Sequence, residues 1–263
     1  MPRNVLVVGM ARSGTSMTAR IFADAGYYVA RAKDELQAAD LANPSGYWEA
    51  ATILDANRRL LARAGFEFDN TWMFDPISDT QAGRILELEH TREDIELVEE
   101  YERNAPWVWK DARLCYTLGY WWPLMDERKT RVLLLTRDRR EILRSFRRVK
   151  WREDLDPGRL YDCIDAHVEA ARGTIRRLDI PHVEVDYSEF AKDPEGLARR
   201  LGRAFDLDLR GEDLGYVPIR NSSSLSGRFR MALEWVWGRL PAFVRRAVKT
   251  LVCLLYTSDA ADE

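Results

Sequence analysis

The sequence predicts an α/β fold of three layers, in which a central, mainly parallel β-sheet is flanked by helices. Three short apolar runs, at 5–8, 107–109 and 131–136, are typical of strands buried in such a sheet, and the alternating segment at 182–187, which follows Pro181, is typical of a fourth strand. Between these runs, apolar residues recur at helical spacing, and strands that alternate with helices favour parallel pairing. A chain of 263 residues with 46% hydrophobic composition is long enough to form one such domain.

The first of these strands leads into a phosphate-binding motif. A loop bounded by Gly9 and Gly14 follows the strand, and residues 15–25 then have helical spacing. In this arrangement the N–H groups of the loop and of the first helical turn point at one place, where the helix dipole adds roughly half a positive charge. We therefore expect an anion to bind at this loop.

The residues of the loop narrow the identity of that anion. Gly9 and Gly14 have the spacing of a Walker A loop, but Thr15 stands where the lysine of that motif would be. The cation of this loop is instead Arg12. The segment Arg12-Ser13-Gly14-Thr15-Ser16 resembles, residue by residue, the Lys/Arg-x-Gly-Thr-Thr/Ser loop of the sulfotransferase family.

This resemblance implies a P-loop sulfotransferase-like fold of the bacterial type and a particular donor. Members of the family bind 3′-phosphoadenosine 5′-phosphosulfate (PAPS) and transfer its sulfuryl group to a hydroxyl or an amine. The residues implied to bind PAPS are Ala11, Arg12, Ser13, Gly14, Thr15 and Ser16. Arg12 is also a candidate catalytic residue, and because it supplies a cation we expect no metal; the three cysteines and three histidines form no metal-binding pattern.

A second pair of residues is spaced to bind an anion. Arg137 follows the strand at 131–136, at the end where open α/β sheets bind ligands. Asp138 is expected to cap the next helix, and Ser145 lies about two turns further on, so Arg137 and Ser145 can converge on one anion. The resembled family carries this Arg-x7-Ser element, which implies that the pair holds the 3′-phosphate of PAPS.

Three carboxylates are candidates for the general base. Glu49 ends a turn-rich segment, Asn43-Pro-Ser-Gly-Tyr-Trp-Glu49, that is similar to one found in bacterial sulfotransferases. We expect Glu49 to take the proton of the acceptor, although it could instead cap the next helix. Glu35 and its neighbour Asp34, which are nearer the loop in sequence, are the second choice.

Lys110 is the remaining catalytic candidate. It follows the strand at 107–109 and begins Lys110-Asp111-Ala112-Arg113, where the family often has Lys-Asp-Pro-Arg. Two roles are open for it: polarising the transferring group or forming a structural pair with Asp111. Further expectations are a lid over 65–83 and a single charged helix over 84–103.

We predict a sulfotransferase-like domain over 1–220, a helical segment over 221–252, and a tail at 253–263 that resembles a translated sequencing adapter. The net charge of −3 does not favour nucleic acid. With no predicted signal peptide or membrane span, we expect a cytoplasmic location, with peripheral membrane contact open to 221–252.

Three functions compete at this point. The first is sulfuryl transfer from PAPS to a carbohydrate or glycolipid, an acceptor class that rests on family analogy. The second is a P-loop nucleotide kinase, which the missing Walker lysine disfavours. The third is a catalytically silent relative that only binds nucleotide.

Overall fold

The computed structural model describes residues 1–40, 43, 45–66, 77–151 and 156–216. The chain divides into two compact units, Met1–Ala38 with Tyr47–Pro218, and Ala39–Gly46 with Ile219–Glu263. In the smaller unit, the backbone N–H of Gly46 donates to the carbonyl of Asn43 at 3.0 Å. The predicted segments 221–252 and 253–263, and residues 67–76 of the predicted lid, lie outside the described residues.

The larger unit contains a four-stranded parallel sheet, which confirms the predicted fold class. Its strands are β1 (Asn4–Val8), β2 (Val108–Lys110), β3 (Thr130–Thr136) and β4 (His182–Asp186), in the order β2-β1-β3-β4. Because all pairs are parallel, the carboxyl ends of the strands lie along one edge of the sheet. The loops that follow β1, β2 and β3 therefore start from the same edge.

Helices cover both faces of the sheet. They are α1 (Thr15–Asp24), α2 (Ala51–Arg63), α3 (Asp79–Glu87), α4 (Arg92–Arg103), α5 (Leu114–Trp121), α6 (Arg139–Arg148), α7 (Pro157–Arg177), α8 (Glu189–Lys192) and α9 (Pro194–Phe205). In the part of the chain that the structure describes, no helix is long and apolar enough to cross a membrane.

The prediction of a single helix over 84–103 is wrong, because α3 ends at Glu87 and a new capping box at Thr91 starts α4. The Ser78 hydroxyl accepts from the backbone N–H of Gln81 at 3.3 Å, which starts α3 inside the predicted lid. Leu88 has an extended backbone and ends α3. The Thr91 hydroxyl accepts from the backbone N–H of Asp94 at 3.2 Å and starts α4. Each cap accepts a hydrogen bond from a backbone N–H group at the start of a helix. Such a group has no partner within its own helix.

Alternation along β1 builds the two apolar layers. Leu6 and Val8 belong to one buried cluster with residues of α2 and α5, whereas Val5 and Val7 belong to another with residues of α1 and α9. Successive strand residues point to opposite faces, so a fully buried strand must be apolar at every position but its ends. A third cluster joins Met10 of the loop to Phe146 of α6 and Ile164 of α7, and so fixes the loop against these helices.

Candidate active site

The loop after β1 has the backbone shape of an anion cradle. Arg12 has a φ of 69° and Gly14 has a φ of 103°, both in the left-handed region. The buried Ser13 hydroxyl donates to the carbonyl of Met10 at 2.6 Å and holds the loop closed. No side chain in the described part of the chain caps α1, so the N–H groups of its first turn can face a ligand.

Gly14 is required at its position for two reasons. Its left-handed φ disfavours any other residue, and a Cβ there would lie 2.4 Å from Cδ2 of Tyr187. Tyr187 follows β4 and is buried. The Tyr187 ring also contacts Arg137, whose guanidinium carbon lies 4.2 Å from the centre of the ring. The ring thus touches the loop and the predicted 3′-phosphate residue at once, a role that the sequence analysis missed.

Arginines surround Ser145 at this end of the sheet. The Ser145 hydroxyl accepts from Nε of Arg12 at 3.0 Å and from Nη2 of Arg148 at 3.3 Å. Nη1 of Arg137 donates to the backbone carbonyl of Arg12 at 3.0 Å. The structure therefore brings Arg12, Arg137 and Ser145 together, as expected of residues that bind one polyanion. Arg148 was not predicted, and burial together with the charge of Arg137 lowers its pKa.

Lys110 connects the loop to Glu49. Its ammonium donates to the Ser16 hydroxyl at 3.2 Å and forms a buried ion pair with the Glu49 carboxylate. Burial raises the pKa of Glu49 above its ordinary value, against the opposing effect of the Lys110 charge. The Tyr47 ring, with its centre 6.0 Å from the ammonium nitrogen, covers the same pair. A cation and a carboxylate with a raised pKa thus lie beside the phosphate-binding loop.

Glu35 has different surroundings. Its carboxylate accepts from the backbone N–H of Arg31 at 3.1 Å, within its own loop. The two candidate loops are nevertheless joined, because the backbone N–H of Gln37 donates to the carbonyl of Glu49 at 2.9 Å. Of the two carboxylates, Glu49 is the one that the structure places in contact with Lys110.

Asp111 has a partner set of its own. It forms a buried ion pair with Arg113 at 2.9 Å and accepts from the side-chain amide of Asn57 at 2.9 Å. The carbonyl of that amide accepts from the Thr117 hydroxyl at 2.7 Å and from the Trp121 indole at 2.9 Å. The open role of Lys110 as a partner of Asp111 is therefore not the contact observed. The Asp111 network instead anchors α2 and α5 behind the site, because each buried polar group is satisfied.

Comparison with known proteins identifies the family of the chain. A model described as "Sulfotransferase family" matches residues 2–211. The chain belongs to this sulfotransferase family. A search of curated proteins gave no match.

Solved sulfotransferases are similar to this sulfotransferase at low identity. The sulfotransferase domain from the curacin biosynthetic pathway is 14% identical, with a TM-score of 0.47 over 81% of this chain and 77% of that one. The domain from the Synechococcus PCC 7002 olefin synthase is 15% identical, with a TM-score of 0.42 over 91% and 89%. Sulfotransferase STF1 from Mycobacterium tuberculosis H37Rv is 14% identical, with a TM-score of 0.46 over 89% and 76%.

The described part of this sulfotransferase contains no group of three or more His, Cys, Asp or Glu side chains placed to hold a metal ion. The cations at its site are side chains, namely Arg12, Lys110, Arg137 and Arg148. Guanidinium groups bind oxyanions through pairs of hydrogen bonds.

Proposed function

We propose that this sulfotransferase moves a sulfuryl group from PAPS to a hydroxyl or an amine of a carbohydrate or glycolipid. The observation that carries the proposal is the position of Lys110, which contacts both Ser16 of the loop and Glu49. A cation and a candidate base therefore lie next to the atoms that would hold the transferring group. Sulfuryl transfer needs both at one place.

The residues around Ser145 fit the donor. Arg12, Arg137 and Arg148 supply three positive charges, and the loop adds the N–H groups of α1. In the proposal, the loop with Ser13 to Ser16 holds the 5′-phosphosulfate, while Arg137 and Ser145 hold the 3′-phosphate. Arg12 lies between the two groups and can serve either.

Glu49 is proposed as the general base. Burial raises the pKa of Glu49, which makes its carboxylate a stronger base than an ordinary glutamate, and the ion pair with Lys110 favours the charged form that can take a proton. Glu49 takes the acceptor proton as the acceptor oxygen or nitrogen bonds to sulfur and the bond from sulfur to the 5′-phosphate oxygen breaks. Lys110 then offsets charge on the departing phosphate.

The capping alternative for Glu49 has no support in the structure. The N-cap of α2 is Ala50, and no side chain among the described residues makes a capping hydrogen bond there. Glu49 instead uses its carboxylate on Lys110.

The acceptor is proposed by family analogy. Tyr47, which is buried, and Trp48, which is half-buried, are aromatic groups beside Glu49 that could contact a sugar face. Peripheral membrane contact through 221–252, which would suit a glycolipid acceptor, is part of the proposal. A screen of acceptors with ³⁵S-labelled PAPS tests the acceptor class directly.

Donor identity is tested by calorimetry with adenosine 3′,5′-bisphosphate, AMP and ATP. The native protein should prefer the bisphosphate, and Arg137→Ala should reduce its preference over AMP by about tenfold or more, because the 3′-phosphate loses a charged partner. Equal losses for both ligands would show that Arg137 is structural. A preference for ATP would favour the kinase alternative.

The base is tested with two matched variants. Glu49→Gln keeps the shape of the side chain but cannot take a proton, so turnover should fall by about a hundredfold while bisphosphate affinity changes little. Glu35→Gln is the control and should be milder. The acidic limb of the native pH–rate profile should lie above the ordinary pKa of glutamate. An active Glu49→Gln protein rules out Glu49 as the base, and a protein that binds the bisphosphate but sulfates no acceptor would be a silent relative.

A further inference from the structure

The outer face of α6 has a stripe of exposed positive charge. Arg140, Arg144 and Arg147 are exposed and lie at i, i+4 and i+7, so they share one side of the helix. We refer to these three residues as the arginine stripe. Among the described residues, no carboxylate lies within ion-pair distance of any of them. By contrast, Arg139 on the same helix pairs with Asp165 at 2.7 Å.

The arginine stripe places like charges beside one another on α6. Like charges three or four residues apart on a helix repel each other, so pairing within the stripe does not account for it. The whole chain has a net charge of −3, so the rest of its surface repels anions on average. The stripe therefore concentrates positive potential on one helix face of an otherwise acidic protein.

The stripe is continuous with the proposed donor site. Arg148 lies one turn after Arg144, and its guanidinium donates to the Ser145 hydroxyl at 3.3 Å. Ser145 in turn lies on the inner side of α6, where it is buried. Positive side chains thus lead from solvent along α6 to the residue that would contact the 3′-phosphate.

We propose that the arginine stripe steers the nucleotide donor into the site. A nucleotide with a 3′-phosphate and a 5′-phosphate or phosphosulfate carries about three to four negative charges, which a local positive field attracts over a distance of about one Debye length. The stripe raises the association rate, whereas the dissociation rate depends on the buried contacts around Ser145. This inference rests on the proposed function, since it takes the donor to be such a nucleotide.

The test is the association rate of adenosine 3′,5′-bisphosphate, measured by stopped-flow tryptophan fluorescence. Trp151 is a suitable reporter, because its ring lies 5.5 Å from the Arg12 guanidinium carbon. The test variant is Arg140→Glu with Arg144→Glu. The control is Arg199→Glu with Arg203→Glu on α9, which reverses two exposed arginines that are also four residues apart.

At an ionic strength of about 10 mM, the association rate of the α6 variant should fall about tenfold, with the dissociation rate changed by less than about twofold. At about 1 M salt, its association rate should converge on that of the native protein. The α9 control should lose about twofold or less at low salt. The variant Arg140→Gln with Arg144→Gln, which changes half as much charge, should give an intermediate rate.

Two results would overturn the inference while leaving the proposed function intact. One is an equal loss of association rate in the α6 and α9 variants, which would indicate an effect of net charge alone. The other is a loss that appears in the dissociation rate, which would make the stripe a direct contact of the bound nucleotide. If the native protein does not bind the bisphosphate at all, the proposed function fails and the steering role fails with it.

Discussion

Replacing Gly14 by Ala should show how tightly the loop and Tyr187 are packed. The new Cβ would lie 2.4 Å from Cδ2 and 2.5 Å from Cε2 of the Tyr187 ring. Carbon atoms pack best about 3.5–4.0 Å apart, so the ring would have to move by about 1 Å. Such overpacking costs about 1–3 kcal/mol, and the left-handed φ of 103° adds about 1–2 kcal/mol.

A control separates these two contributions. Gly26 also has a left-handed φ, of 91°, but a Cβ there would meet no atom within 4 Å. Gly26→Ala should therefore lower the free energy of unfolding by only about 1–2 kcal/mol, whereas Gly14→Ala should lower it by about 2–5 kcal/mol. Urea unfolding measures both changes on the same scale.

A double-mutant cycle identifies the group responsible for the difference. In a Tyr187→Ala background the ring is absent, so Gly14→Ala should cost about 1–3 kcal/mol less than in the native protein. Gly14→Ala should also weaken bisphosphate binding, because the displaced Tyr187 ring contacts Arg137. Gly26→Ala should leave bisphosphate binding unchanged. Costs that add within about 0.5 kcal/mol would refute the contact between Gly14 and Tyr187 as the cause.

Two further predictions follow from buried contacts. His167 is fully buried, and this burial lowers its pKa to about 4. Because the pKa of an unfolded histidine is about 6.5, the neutral His167 contributes to the free energy of unfolding above that pH. This contribution is lost as the pH falls toward 4. Chemical denaturation should show that the free energy of unfolding falls by up to about 3 kcal/mol between pH 7 and pH 4. In the His167→Gln variant this fall should be smaller. An equal fall in the variant would assign the pH dependence to other groups. Arg12→Ala should weaken bisphosphate binding by about 2 kcal/mol in calorimetry, because Ser145 and the ligand lose a charged partner, and an unchanged affinity would remove Arg12 from the donor site.

Much of the fold and part of the site could be predicted from the sequence, because their signals are local. The loop from Arg12 to Ser16 is contiguous, and its chemistry follows from residue types and spacing alone. β1, β2 and β3 are short apolar runs that are buried on both faces, which is the pattern of inner parallel strands, whereas β4 alternates, with Val185 buried between the exposed Glu184 and Asp186. The position of Arg137 after a strand and of Ser145 two turns into a helix also follows from counting residues.

Local signals also explain one error. The capping box at Thr91 is visible in the sequence, but the charged periodicity of 84–103 by itself predicts one helix. A cap competes with the continuation of a helix by satisfying the same N–H groups with a side chain, and here the caps decide the boundaries.

Only the tertiary structure decided which of the candidate groups meet. Lys110 and Glu49 are 61 residues apart in the chain, and Arg12 and Ser145 are 133 apart. These contacts depend on β2 and β3 both lying beside β1, an order that no local spacing encodes. The same order brings the end of β4 beside the end of β3, and so puts the Tyr187 ring between Gly14 and Arg137. Sequence thus determined which chemical groups are present at the carboxyl edge of the sheet, and strand order determined which of them became partners, because parallel pairing aligns strand ends that are distant along the chain.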